Sequence, residues 1–387
     1  MMEVDHIKHN HGTEIAALVL CCRVFLKTAT QAQLSAFIIK NPPDWEGLYE
    51  LARIHRIRPL IYETVSKIDN VDSSFKQKLK QFFISHSLRS FQTQQRATQL
   101  VSLMKNDQIQ IQLYKGIHLS QSLHNHLSIR EFGDVDFIVQ TEDVPRLIAV
   151  LKKSGYNMEG QTIYDSSPEK YMANQKDVIC YDKTPDGLFL YEFHYKLIGS
   201  YLSMNISFKD LLPDSWRLGS PILPGDYLPL LTVNHGLVDL YPGLRSIVDM
   251  AIVTQQCGNK ISEYHRANQH LGGYYALNAY LVKELLNVES SSFSSQANPQ
   301  LIAALGSKIV NRLLTKKEGK RVSTLTILKT SFLLRQGVTT KIKLIKAIIK
   351  YIFTPNYNDE PQTQFRYKWM QLLARPIRLL QHSKRHI

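Results

Sequence analysis

The stretch Arg130-Glu131-Phe132-Gly133-Asp134-Val135-Asp136-Phe137-Ile138-Val139 decides how the chain is read. Its second half is apolar except for two aspartates placed two residues apart, which predicts a strand over 134–139. Side chains alternate across a strand, so Asp134 and Asp136 leave the same face, roughly 6 to 7 Å apart along the backbone. Two like charges in apolar surroundings repel unless a cation joins them, and carboxylates at this spacing can converge on hard divalent ions. Two such ions about 3.5 to 4 Å apart can clamp the attacking and leaving oxygens of an in-line phosphoryl displacement. The competing reading of an isolated Asp-x-Asp is a polar edge strand; the apolar neighbours weigh against it.

Upstream, Ile109, Ile111 and Leu113 alternate into a short strand that stops at Lys115-Gly116, and a helix is expected from about Ile117 to His126. Backbone N–H groups at that strand-to-helix turn could meet a phosphate at the positive helix end, with glycine allowing close approach. Lys115 could pair with phosphate oxygens or simply be solvated. Arg130 could hold a triphosphate, or could form a surface ion pair with Glu131 or another acid. Downstream, a helix over 142–154 closes at Gly155, and strands are expected over 178–181 and 188–195, joined by the turn-like Thr184-Pro185-Asp186-Gly187. Glu192 lies in the second of these strands among apolar neighbours and is the best placed third carboxylate. His194 is assigned to the opposite strand face and read as structural.

This mixed core is flanked by helical patterns. Apolar residues recur at helical spacing from Asp44, a candidate N-cap, to Lys67, and a long helical stretch follows over 74–104 whose segment Arg89 to Gln99 reads as a solvated face. After Pro213 the helical period returns over 228–238, 244–254, 272–286 and 301–314, with a Ser-rich loop over 289–300. His235 on its helix reads as a core histidine, and Arg245 with Asp249 as a helix salt bridge. An amphipathic helix over 341–353 is expected to pack by its Ile/Leu face; its lysines offer a basic side to RNA. The expected organisation is a helical region over 1–105, an α/β core over 106–212 and a helical region with a basic tail over 213–387.

Bulk composition sets limits. With 387 residues and 44% hydrophobic content the chain has ample material for a core and lacks the signature of disorder. The formal net charge of +14 raises the odds of a polyanionic partner such as a nucleic acid, a nucleotide or an anionic membrane surface, but the excess is spread along the chain and reads first as solvated surface. Four cysteines without CxxC or disulfide-framework spacing fit a reduced cytoplasmic setting and offer no structural zinc site. The apolar run near Ile15 suits a buried helix better than a signal peptide or membrane span, so no membrane insertion is expected.

Taken in order, Lys115-Gly116, Arg130, Gly133-Asp134-Val135-Asp136, Ser154-Gly155-Tyr156 and Glu192-Phe193-His194 resemble a family of uncharacterised bacterial nucleotidyltransferases within the DNA polymerase β-like superfamily. Leu230 to His235, Arg245 to Asp249 and Arg375 to Leu380 resemble further signatures of that family. The resemblance implies an α+β fold with a small mixed sheet between helical regions. It also implies transfer of a nucleoside monophosphate from an NTP to an acceptor hydroxyl with Mg²⁺ or Mn²⁺. On this reading Asp134, Asp136 and Glu192 are catalytic metal ligands, and Lys115, Gly116, Arg130 and Gly133 contact the nucleotide. The wider superfamily carries Gly-Ser where this chain has Lys115-Gly116, so a phosphate-binding hydroxyl is missing. The acceptor stays open between a small molecule, RNA and protein, the last two including a toxin-like modifier of tRNA or a partner protein. A nucleotide-binding scaffold with weak or lost catalysis is the non-enzyme alternative.

Overall fold

The computed structural model describes residues 1–185, 187–199, 202, 204, 206–257, 271–290, 297–315, 322–335 and 337–353. The expected C-terminal signature Arg375 to Leu380 and the basic tail lie outside these. Six helices come first: α1 (Val4–His11), α2 (Thr13–Phe25), α3 (Gln31–Lys40), α4 (Trp45–Ile54), α5 (Arg58–Val65) and α6 (Ser73–Asn106). Asp44 does cap α4: its carboxylate accepts from the Glu46 N–H at 3.1 Å, satisfying a donor that the helix cannot. The helical run over 44–67 is broken in two where Arg56 takes a left-handed φ of 56°.

The sheet is built from β1 (Ile111–Leu113), β2 (Val135–Val139), β3 (Asn157–Met158), β4 (Asp177–Thr184) and β5 (Gly187–His194). Helix α7 (Gly116–His124) joins β1 to β2, while α8 (Val144–Lys153), α9 (Gln161–Ser166) and α10 (Pro168–Asn174) lie between β2 and β4. The strand order is β1-β2-β5-β4-β3. Among the described residues only β2 and β5 run parallel, and their register sets Asp136 directly beside Glu192. Every residue of β2 is buried, as expected for a central strand, so the edge-strand reading of Asp-x-Asp does not hold.

The remaining helices among the described residues are α11 (Phe208–Leu211), α12 (Tyr227–Leu231), α13 (Leu244–Cys257), α14 (Gly272–Leu286), α15 (Pro299–Leu314), α16 (Thr324–Leu334) and α17 (Val338–Phe353). The helix expected over 228–238 is α12 followed by a π-helical turn, Thr232–Val238, a departure that recurs at functional sites. The fold is therefore mixed α+β: one five-stranded sheet with helical flanks.

Two apolar cores hold it. One packs the sheet against α8 and the end of α6, with Phe137 and Phe193 stacked at a centroid distance of 5.0 Å. The other joins the N-terminal helices to those after residue 213, and Arg23 of α2 crosses it to donate to the Leu285 carbonyl at 2.8 Å. Segment Arg89 to Gln99 is more than a solvated face. The guanidinium groups of Arg89 and Arg96 stack over Phe189 at 3.5 and 4.2 Å, and Arg96 pairs with Asp182 at 2.9 Å.

Burial holds His86, His118 and His235 below the usual imidazole range and pushes His124 down to about 4. Each is neutral when folded and binds a proton more readily when unfolded, so stability is lost as pH falls through the unfolded value of about 6.5. The melting temperature should therefore drop between about pH 7 and about pH 5. In His124→Gln the accompanying loss of unfolding free energy should shrink by on the order of 1 kcal/mol at the lower pH; an unchanged slope would refute the assignment.

Candidate functional site

The site forms where the end of β1, the start of β2 and the end of β5 meet. Asp136 is 4% exposed, and its Oδ1 lies 2.9 Å from Lys115 Nζ and 2.8 Å from His194 Nε2. His194 Nε2 is also 3.4 Å from Glu192 Oε2, and its Nδ1 is 3.5 Å from Asp177 Oδ2, across the β4–β5 register. This corrects the expectation that His194 lies on the opposite face. Residues two apart share a strand face, so His194 belongs with Glu192.

Burial alone would raise the Asp136 carboxyl, but the Lys115 ammonium and then His194 hold it far below the usual range. The same pairing raises Lys115 despite its burial. Lys115 is thus not the solvated side chain of its simpler reading; it is 18% exposed and supplies the positive charge this carboxylate requires. Glu192 is held low chiefly by its hydrogen bond with His194, against the opposing effect of burial.

Among the described residues, Asp136, Glu192 and His194 form the group able to hold a metal ion, their ligand atoms lying within 4.8 Å of one another. Two carboxylates and an imidazole suit a divalent ion. Asp134, the other expected ligand, precedes β2 and stands outside this group. Its carboxyl is raised by burial and then by the negative charges of Asp136 and Glu192. The four cysteines are buried and unbridged, and burial pushes the Cys180 thiol up to about 12.

Gly116 opens α7 at a φ of 51°, and a Cβ there would stand 2.7 Å from the Asp134 carbonyl oxygen. Both the left-handed conformation and the close approach require glycine. Gly116→Ala should cost about 1–3 kcal/mol and displace the turn from the aspartates. By contrast, a Cβ on exposed Gly133 meets nothing within 4 Å. Gly133→Ala should leave the melting temperature unchanged, and equal losses in the two variants would contradict this difference.

Arg130 forms a buried ion pair, not a surface one, with an acid other than Glu131. It is 6% exposed, its Nε donates to Asp249 Oδ2 at 3.0 Å, and its Nη1 lies 3.5 Å from the Gly116 carbonyl. Asp249 is also held by His235, whose Nε2 lies 3.0 Å from the same Oδ2. Arg245, expected to pair with Asp249 along α13, instead donates to the Glu131 carbonyl, while Glu131 pairs with Arg58 at 2.7 Å. His235 and Asp249, which the sequence presents as separate core features, are thus one buried network beneath the Gly116 turn.

These features define a mixed α+β protein whose sheet carries a buried carboxylate–histidine group suited to a metal-dependent role. The chain belongs to a family described as uncharacterised nucleotidyltransferases, which it matches over residues 41–269. No curated protein and no solved structure matches it.

Proposed function

We propose that the chain moves a nucleoside monophosphate from an NTP to an acceptor hydroxyl, releasing pyrophosphate. The observation that carries this reading is the pairing of Asp136 with Glu192 on adjacent parallel strands, with Lys115 and His194 on the same carboxylate. Asp136, Glu192 and His194 would hold a divalent ion, Mg²⁺ or Mn²⁺, with Asp134 as the further acid. That ion would neutralise charge on the phosphoryl oxygens and acidify the acceptor hydroxyl. Glu192, the most exposed of the three metal-holding side chains, takes the hydroxyl proton. Lys115 and the N–H groups opening α7 receive the triphosphate, and Gly133 leaves room for it. Arg130, committed to Asp249, holds the Gly116 turn instead of touching phosphate. In this reading 106–212 is the catalytic core between helical regions 1–105 and 213–387, working in the reduced cytoplasm.

The test incubates each α-labelled NTP with Mg²⁺ or Mn²⁺ and the protein, then follows label into RNA, protein and small-molecule fractions. Metal-dependent transfer that vanishes in Glu192→Gln supports the reading and names the acceptor class. Folded wild type that neither binds nor transfers from any NTP with either metal overturns it in favour of a scaffold.

A further inference from the structure

Helix α17 packs by one side, where Leu344 is buried and Ala347, Ile348 and Tyr351 are half-buried, and leaves a second apolar stripe facing outward. Val338, Ile342, Ile345, Ile349 and Phe353 fall at steps of four, three, four and four residues, which is one stripe of an α-helix. They are between 44% and 73% exposed. Leu344, on a different side, is the helix's buried residue and ties it to the body of the protein. Lys343, Lys346 and Lys350 are exposed and border the stripe on its solvent side. A contiguous apolar stripe of this kind marks an interaction surface.

The charge pattern selects the occupant. Between Gly319 and Asn358 the sequence holds eight Lys or Arg and no Asp or Glu. Residues 354–387 carry six Lys or Arg against two Asp or Glu. Either a second copy of α17 or the chain's own C-terminal residues would therefore bring positive charge against these lysines. RNA would satisfy the lysines and leave the apolar stripe in water. A bilayer surface with anionic phospholipid headgroups accepts both, the stripe at the acyl boundary and the ammonium groups among the phosphates. Sixteen residues of helix span about 24 Å, short of the roughly 30 Å hydrocarbon core. No helix of the described residues is long and apolar enough to cross a membrane. The geometry therefore fits a helix lying on the surface.

We propose that α17 docks the protein onto membrane surfaces bearing anionic phospholipids, through its exposed Val338–Phe353 stripe and the lysines beside it. The inference is independent of nucleotidyl transfer. It is tested by co-sedimenting the full chain with vesicles of phosphatidylcholine alone and with vesicles containing equal parts of phosphatidylcholine and phosphatidylglycerol.

Wild type should pellet with the anionic vesicles and stay in solution with the neutral ones. Ile345→Asp/Ile349→Asp and Lys343→Glu/Lys346→Glu/Lys350→Glu should each weaken anionic binding by about tenfold or more. Both variants change exposed side chains only, and unaltered thermal melting is expected. Wild type that ignores both vesicles overturns the proposal, as does an apolar-stripe variant that binds like wild type. A stripe variant that melts early would assign the stripe to an intramolecular contact, and one that shifts the sedimentation coefficient would assign it to a second copy. Gel shift of an RNA that needs the lysines but not the stripe, without vesicle binding, would assign the surface to RNA.

Discussion

Asp136→Asn is expected to lower nucleotidyl transfer on the order of 10³-fold or more, because it removes the one carboxylate on which Lys115 and His194 converge and to which Glu192 is registered. The effect on folding should be smaller, and its size follows from opposing terms. Lys115 loses its buried counter-ion, a change that ordinarily costs about 3–5 kcal/mol. Against that, Asp134 and Glu192 lose a like-charged neighbour, which offsets part of the cost. A net loss of about 1–3 kcal/mol is expected in urea unfolding. The depressed Asp136 carboxyl contributes its stability above the unfolded value near 3.9 and loses it as pH falls. The deficit of the variant should therefore be present at neutral pH and close below about pH 4. Lys115→Met added to Asp136→Asn should restore most of the stability and none of the transfer. If the double variant regained transfer, Asp136 would be a structural partner of Lys115 and no more.

The reach of the sequence differs from element to element. Strand β2 was legible because a carboxylate within an otherwise apolar segment, with a second just before it, needs a buried strand with a charge to meet it, and the Lys115-Gly116 turn was legible because alternation ends there abruptly. The pairing of β2 with β5 could be expected from their apolar character, but the Asp136–Glu192 register needed the three-dimensional sheet. His194 was legible in principle: period-2 alternation places it on the face of Glu192, and setting it on the opposite face treats residues two apart as though they were adjacent. Its link to Asp177 was not legible, since it depends on the hairpin register of β4 against β5. Helix α16 escaped notice because Thr324 to Leu334 has little apolar asymmetry around the helix, though Ser323 caps it by accepting from the Thr326 N–H at 3.2 Å. The exposed second stripe of α17 was not legible for a different reason. Amphipathic spacing says which residues share a stripe and leaves open whether protein, lipid or water faces it.

The network beneath the Gly116 turn yields the larger folding effect. Asp249 is 1% exposed and takes hydrogen bonds from Arg130 and His235, while Arg245 nearby is pushed down to about 9 by burial and then by the charge of Arg130. Here the positive charges outnumber the acid, so neutralising Asp249 relieves no like-charge repulsion of the kind that softens the loss of Asp136. Asp249→Asn leaves Arg130 buried without its partner and should cost about 3–5 kcal/mol in urea unfolding near neutral pH, more than Asp136→Asn. The sign with pH follows from the depressed carboxyl: the contribution is full above the unfolded value of about 3.9 and disappears below it. Replacing both partners, Arg130→Met with Asp249→Leu, removes the unpaired charge and should recover much of the stability. It should not recover NTP affinity if the Gly116 turn receives phosphate as proposed, because Arg130 Nη1 near the Gly116 carbonyl ties the network to that turn. A stable double variant with wild-type NTP affinity would show that the network supports the fold alone. A loss under about 1 kcal/mol in Asp249→Asn would show that solvent reaches Arg130 more readily than its burial implies.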